Sequence, residues 1–182
     1  MRIAAFDLSL SATGLARHGD DPNDPVHVDR IRPKNGAADP YARLVEIRDD
    51  VVYEATVVNA DVVVIEGYAF GRPNAAHKSG ELGGVVKVAL FESGLPIAVL
   101  PPSSLKKYAT GKGGASKDEV LIAAVHRSGM EFADNNEADA WWLWQMACCH
   151  YGLEHVQMPE KNREALEAVE WPTLTKGATH EE

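Results

Sequence analysis

Two short apolar runs in this chain each stop on an acid. Ile3, Ala4, Ala5 and Phe6 lead into Asp7, and Val62, Val63, Val64 and Ile65 lead into Glu66. Unbroken apolar runs of this length suit strands covered on both faces, in the middle of a sheet. A chain with such strands is committed to an α/β layer arrangement, because helices must cover them. It also carries a cost. A carboxylate at a buried strand end loses on the order of several kcal/mol unless a partner or a metal satisfies it.

The segments around these runs fill in the rest of the order. "ATGLARHG" follows the first strand closely and predicts an antiparallel hairpin. "DDPNDP" is a turn cluster, and "VHVDRIRP" alternates as a third strand should. Residues 40–59 change to helical spacing after Asp39-Pro40, a capping aspartate followed by a proline suited to the first helical position. "ADVVVIEGY" is the fourth strand. The stretch "AFGRPNAAHKSG" reads as a loop leading into a helix on Leu82, Val85, Val86, Ala89 and Leu90. "LPIAVLPP" is a fifth strand, "SSLKKYATG" a short helix and "GKGGAS" a glycine-rich loop. Ser116 and Glu119 form a capping box for the next helix. A last strong helix starts near Asn136 and is apolar nearly all round, so it should be buried, with Trp141, Trp142 and Trp144 as core. The expected architecture is α/β, with a central five-stranded mixed sheet flanked by helices. Residues 1–152 form the domain. Residues 153–182 form a charged tail with one short helix and then disorder.

Composition narrows the function classes. The chain has 182 residues, 45% hydrophobic and 25% charged, enough for a self-sufficient core. Its net charge of −9 argues against an all-basic surface. It leaves nucleic acid open, because acids gathered in a metal site are neutralised by the ion. Cys148 and Cys149 are neighbours and read as small core residues of a reducing compartment. With no signal-like start and no apolar run near 18 residues, the expectation is a cytoplasmic protein without a membrane span.

A third acid, Asp139, falls in the first turn of the buried helix, in "DNNEADAWW". Singly, each acid has an ordinary explanation: a turn former, a loop residue, a favourable charge at a helix start. Together they suggest a site. Ends of adjacent central strands lie about 5 Å apart, and a helix start packed over them brings in the third carboxylate. Three carboxylates this close do not all ionise without cations, and oxygen-only donors select Mg²⁺ or Mn²⁺. Two such ions about 3.5–4 Å apart form the arrangement that cleaves phosphodiesters.

The quoted motifs also carry a family resemblance. "AFDLSLSATGLA", "VVVIEGYAF", "LPPSSLKKYATGKGGASKDEV" and "NNEADAWWLWQMA" resemble, in order, the motif segments of RuvC-like Holliday junction resolvases of the ribonuclease H-like superfamily. The small size and divergent ends resemble its phage-encoded branch. The resemblance implies a metal-dependent endonuclease for four-way and other branched DNA, acting in recombination and repair as a homodimer, without a nucleotide cofactor. It implies metal ligands at Asp7, Glu66 and Asp139, and a fourth ligand position occupied here by Asn136, which offers a carbonyl oxygen but no charge. Asp134 and Glu137 are the nearby substitutes. Glu137 lies about 200° from Asp139 on an ideal helix.

For DNA the resemblance points to Lys106 and Lys117, with Lys107 and Lys112 in the same glycine-rich segment, where lysines and exposed N–H groups suit phosphates. Tyr68, Phe70 and Arg72 follow Glu66, with Phe70 as the aromatic wedge, and His77 and Lys78 are candidate phosphate contacts. Ser9 and Ser11 make a small polar turn beside the site. The helix at 80–92 is the implied dimer surface. Two other readings stay open. One is a fragment of an actin-like kinase, which opens with a similar hairpin but needs a second domain. The other is a nuclease-inactive binding module, favoured by Asn136. A transposase or ribonuclease H with the same core also remains, since fold does not fix substrate.

Overall fold

The first three strands follow one another without an intervening helix, so they pair as antiparallel neighbours, and the next two return in parallel through helical crossovers. The computed structural model describes residues 1–21, 24–34, 39–67 and 73–174. β1 (Ile3–Asp7), β2 (Thr13–Asp21), β3 (Asp24–Ile31), β4 (Val62–Glu66) and β5 (Ile97–Leu100) form one sheet in the order β3-β2-β1-β4-β5. β1 pairs antiparallel with β2 and parallel with β4, so the strand ending in Asp7 lies at the centre. The mixed five-stranded sheet expected from the sequence is therefore present.

Side chains alternate across a sheet, and here the alternation separates two cores. Ala4, Phe6, Leu15, Val63 and Ile65 face α1 (Pro40–Val57) and α2 (Pro73–Glu92). Ile3, Ala5, Ala16, Val26, Val62, Val64, Ala98 and Leu100 face the other way, against α3 (Pro102–Thr110), α4 (Lys117–Ser128) and α5 (Asn135–His150). By the same parity Asp7, Gly14, Arg30 and Glu66 belong to the α5 face.

The helices start where the sequence signals them. Asp39 caps α1 by accepting from the N–H groups of Tyr41 and Ala42. Ser116 and Glu119 complete their reciprocal capping box at α4. α2 begins at Pro73, earlier than the expected loop allows, because a proline suits the first helical turn. In α5 every residue from Glu137 to Cys148 is buried. Two of its indoles find partners: Trp142 Nε1 donates to the Val120 carbonyl at 3.1 Å, and Trp144 Nε1 donates to His18 Nδ1 at 3.1 Å.

Beyond Gly152 the chain does not run away from the domain. α6 (Glu160–Arg163) and a 3₁₀ turn (Glu164–Ala168) lie on α3, and Met158, Ala165 and Val169 join the α5-side core. The segment set apart as a charged tail is thus part of the fold as far as residue 174. Its few apolar anchors are too widely spaced to show as a pattern in a charged sequence. The expected disorder of the last ten residues falls mostly on 175–182, outside the described residues. Among the described residues no helix is long and apolar enough to cross a membrane.

Gly14 on β2 marks the tightest packing. A Cβ there would stand 1.9 Å from the Asn136 carbonyl oxygen and 3.2 Å from the Ala140 Cβ. Only a residue without a side chain lets the start of α5 lie against the sheet. Gly14→Ala should push this helix start outward and lower unfolding free energy by about 3 kcal/mol, measured by urea denaturation.

Candidate active site

One row of residues crosses the α5 face of the sheet. Arg30 on β3 is abreast of Gly14 on β2, and Gly14 is abreast of Asp7 on β1. Phe6 is abreast of Ile65, so the next step sets Asp7 beside Glu66, and Glu66 is abreast of Leu100 on β5. The sequence separates these residues by up to 93 positions, and strand pairing collects them. Over the gap at Gly14 lies the first turn of α5, and Asp139, just beyond that turn, is buried near Asp7 and Glu66.

Several contacts fix that first turn. Asp134 caps it, accepting from Asn136 N at 2.9 Å and Glu137 N at 3.1 Å. Arg30 clamps it from the sheet, with Nη1 donating to Asp134 Oδ2 at 2.9 Å and Nε lying 2.9 Å from Glu137 Oε1. The second contact is an ion pair without the alignment of a hydrogen bond. Glu137 also accepts from Ala133 N at 2.6 Å. The Asn136 amide donates to the Ala12 carbonyl at 2.8 Å, tying the helix to the β1–β2 turn. Asp134 and Glu137, considered as substitute ligands, are thus engaged with Arg30 and with backbone N–H groups, and Asn136 gives its amide N–H to the turn.

The electrostatics set the three central acids apart from these. Burial raises the Asp7 carboxyl to about 6, although Lys117 and the hydrogen bond with Glu66 act to lower it. Glu66 is pushed up to about 9 by burial, then by Asp7 and Asp139. Asp139 rises to about 7, through burial and then Asp7, with Lys117 and Lys106 opposing. Asp134 moves the other way: its hydrogen bonds from Arg30 and from backbone outweigh its burial. Three mutually repelling carboxylates, Asp7 and Asp139 buried and Glu66 half-buried, offer only oxygen donors and fit hard divalent cations. Asp7, Glu66 and Asp139 are the residues that would hold them.

The lysines divide. Lys106 and Lys117 are near enough to act on the acids. Lys107 Nζ instead pairs with Glu164 Oε2 at 3.0 Å. Lys112 is exposed in the glycine-rich loop, 3.8 Å from Glu119 Oε1. Ser9 and Ser11 lie in the β1–β2 turn with their hydroxyls 3.1 Å apart, and Thr13 Oγ1 donates to the Ser9 carbonyl at 2.9 Å. His77 and Lys78 are exposed on α2. Tyr68, Phe70 and Arg72 lie outside the described residues.

Two residues of this constellation escape sequence reading. Arg30 sits in a half-exposed alternating strand and looks like any solvated arginine there. Gly14 did leave a signal, since an isolated glycine in a strand marks close backbone approach.

A second group of metal-ligating types, His18, Cys148 and His155, gathers its donor atoms within 4.8 Å at the other end of β1. There His18 Nδ1 accepts from Ile3 N at 3.0 Å and from Trp144 Nε1, and Trp144 stacks on His155. His18 thus acts as a peg joining the start of β1 to α5.

Sheet order and acid row together define a ribonuclease H-like domain with a carboxylate centre. Its backbone matches Thermus thermophilus RuvC in complex with Holliday junction substrate, with a TM-score of 0.66 at 22% identity, over 87% of this chain and 99% of that one. At the sequence level, the family model for crossover junction endodeoxyribonuclease RuvC matches residues 8–150. The RuvC endonuclease of Synechococcus sp. (strain WH7803) is 30% identical over 72% of this chain and 86% of its own length. That of Mycobacterium avium (strain 104) is 31% identical over 82% and 81%. The chain belongs to the RuvC crossover junction endodeoxyribonuclease family.

The raised carboxyls make the metal-free fold sensitive to alkali. Protons held more tightly by the folded than by the unfolded chain contribute stability that is full below the ordinary carboxylate range. That contribution is lost as pH rises through about 6, 7 and 9. In EDTA the melting temperature should therefore fall between about pH 5 and about pH 8, and added Mg²⁺ or Mn²⁺ should raise it more at the upper end. Asp7→Asn should flatten both trends.

Proposed function

We propose that this protein resolves four-way DNA junctions, and related branched DNA in recombination, repair or phage DNA processing, by hydrolysing phosphodiesters with divalent cations held at Asp7, Glu66 and Asp139. The observation that carries this reading is the meeting of three carboxylates, buried on β1 and α5 and half-buried on β4, in a chain of this family. Two Mg²⁺ ions, replaceable by Mn²⁺, suit the donor set. Bound there, such cations neutralise charge at the scissile phosphate and let water act as a nucleophile near neutral pH.

The chain's own residues supply the rest. Asp7, Glu66 and Asp139 hold their positions because strand register and the Arg30 clamp leave them no slack. Lys117 and Lys106 add positive charge beside them, where the phosphate backbone must approach. Lys112, exposed on its loop, takes a more distant phosphate. Lys107, paired with Glu164, contributes least of the four. Ser9 and Ser11 leave the turn beside the site narrow enough for a strand to pass. Phe70 remains the candidate wedge that stacks on an unpaired base, with Tyr68 and Arg72 as further DNA-binding candidates in the same segment of sequence.

A second copy fits the opposite side of the sheet. There α2 exposes Val88 and Phe91, at 57% and 77%, and α1 exposes Tyr53, at 64%. Large exposed apolar side chains on two packed helices suit a symmetric pairing, and a two-fold dimer matches a two-fold junction. A second reading, junction binding without cutting, draws on Asn136, whose side chain brings no charge and spends its N–H on Ala12.

The test is cleavage of a labelled four-way junction beside linear duplex of the same sequence, in Mg²⁺, Mn²⁺ and EDTA. Paired, metal-dependent nicks near the crossover are expected, with at least about a hundredfold loss in Asp7→Asn or Glu66→Gln. Binding without nicks in either metal would favour the inert module, and no preference for the junction would overturn both readings. Separately, Phe91→Glu should convert a dimer to a monomer by light scattering and uncouple the paired nicks while leaving the metal-dependent rise in melting temperature.

A further inference from the structure

The glycine-rich loop that carries Lys112 leaves α3 at Gly111, whose left-handed φ of +79° ends the helix. A helix end leaves its last carbonyls without partners. Here one of them is met from far along the chain. Asn162, in α6 and buried, donates from Nδ2 to the Tyr108 carbonyl at 2.7 Å, and its Oδ1 lies 3.7 Å from where a Gly111 side chain would begin. One turn earlier Glu164 holds Lys107. From that capped end, Thr110 Oγ1 donates back to the Lys106 carbonyl at 2.8 Å and accepts from Lys112 N at 3.2 Å, and Ala115 N closes the loop on the Lys112 carbonyl at 3.2 Å. These contacts lead directly to Lys112.

We infer that Asn162 is a positioning residue for DNA: it fixes the exit of the 111–116 loop from α3 and so aims Lys112 at a phosphate. Asn162 lies beyond the stretch that the family model matches, 8–150. The C-terminal segment then serves the nucleic-acid surface without touching DNA. This rests on the junction-cutting reading above. The inference also divides the lysines by role. Lys117 is the first residue of α4, set by the Ser116–Glu119 capping box rather than by the loop. Loosening the loop should disturb junction affinity through Lys112 and leave the chemistry beside the acids intact.

The experiment compares the parent chain with Asn162→Ala and with Val169→Ala. Val169 is buried in the same segment, and its apolar side chain has no donor for the Tyr108 carbonyl, so its truncation loosens the segment without removing that hydrogen bond. Junction cleavage is measured across salt concentrations, well below the melting temperature of either variant. Amide exchange of residues 111–116 is followed in parallel. For Asn162→Ala we expect a junction KM raised about three- to tenfold, kcat within about twofold, and a salt dependence of affinity shallower by about one counterion. Loop amides should exchange faster in this variant. Val169→Ala should match its loss of melting temperature and change none of these. Equal KM, salt slope and loop exchange in the two variants would overturn the inference, leaving Asn162 a structural residue. If the parent ignores junctions, the functional reading falls instead, and loop exchange alone decides whether Asn162 positions the loop.

Discussion

The site depends first on how closely a helix can lie on a sheet. The backbone of α5 at Asn136 occupies the space that a side chain at position 14 would fill. With that approach, Asp139 descends onto the strand ends that carry Asp7 and Glu66. Without it, the two strand carboxylates would face a more distant helix start, and the three acids would not meet. The Arg30 clamp and the Asn136–Ala12 hydrogen bond act on the same turn from either side, so the position of Asp139 is set by sheet contacts. The helix has no freedom of its own there, since it is buried almost throughout.

Charge explains why the surroundings are built as they are. On the proposed reading, the acids kept for cations are those burial makes reluctant to ionise, Asp7, Glu66 and Asp139. The acids satisfied by Arg30, Asp134 and Glu137, hold the frame. The two neighbouring groups of carboxylates differ in their cations: Arg30 pairs directly with one, whereas Lys117 and Lys106 act on the other through charge alone. The net charge of −9 is consistent with the proposed DNA enzyme, because part of the negative charge sits at the acids proposed to hold cations and part is paired with Arg30 inside the fold.

Much of this was legible in the sequence, and the physical reasons are particular. Asp7 and Glu66 stood out because they break apolar runs that a sheet centre demands, and Asp139 because it opens an otherwise apolar helix. The capping box at Ser116 and the cap at Asp39 are local signals, and local signals survive without coordinates. Arg30 could not be seen, because its importance comes only from the register that sets it beside Gly14. The pairing of Lys107 with Glu164 spans 57 positions, and no periodicity announces it. The C-terminal segment was set apart for the same reason: its hold on α3 rests on single side chains such as Asn162, not on an amphipathic stripe.

The transverse row Arg30, Gly14, Asp7 and Glu66 has a consequence for how such a chain can change over generations. All four share a face only while the strands keep their parity. A substitution can silence one member and leave the others in place, so activity can be lost by small steps with the fold retained. A single residue gained or lost inside β2, between Gly14 and Ala16, would turn the inward side chains of that strand outward and take Gly14 from under α5 at once. Lineages that abandon cutting should therefore record it as replaced acids on an intact strand frame, with length changes confined to the turns.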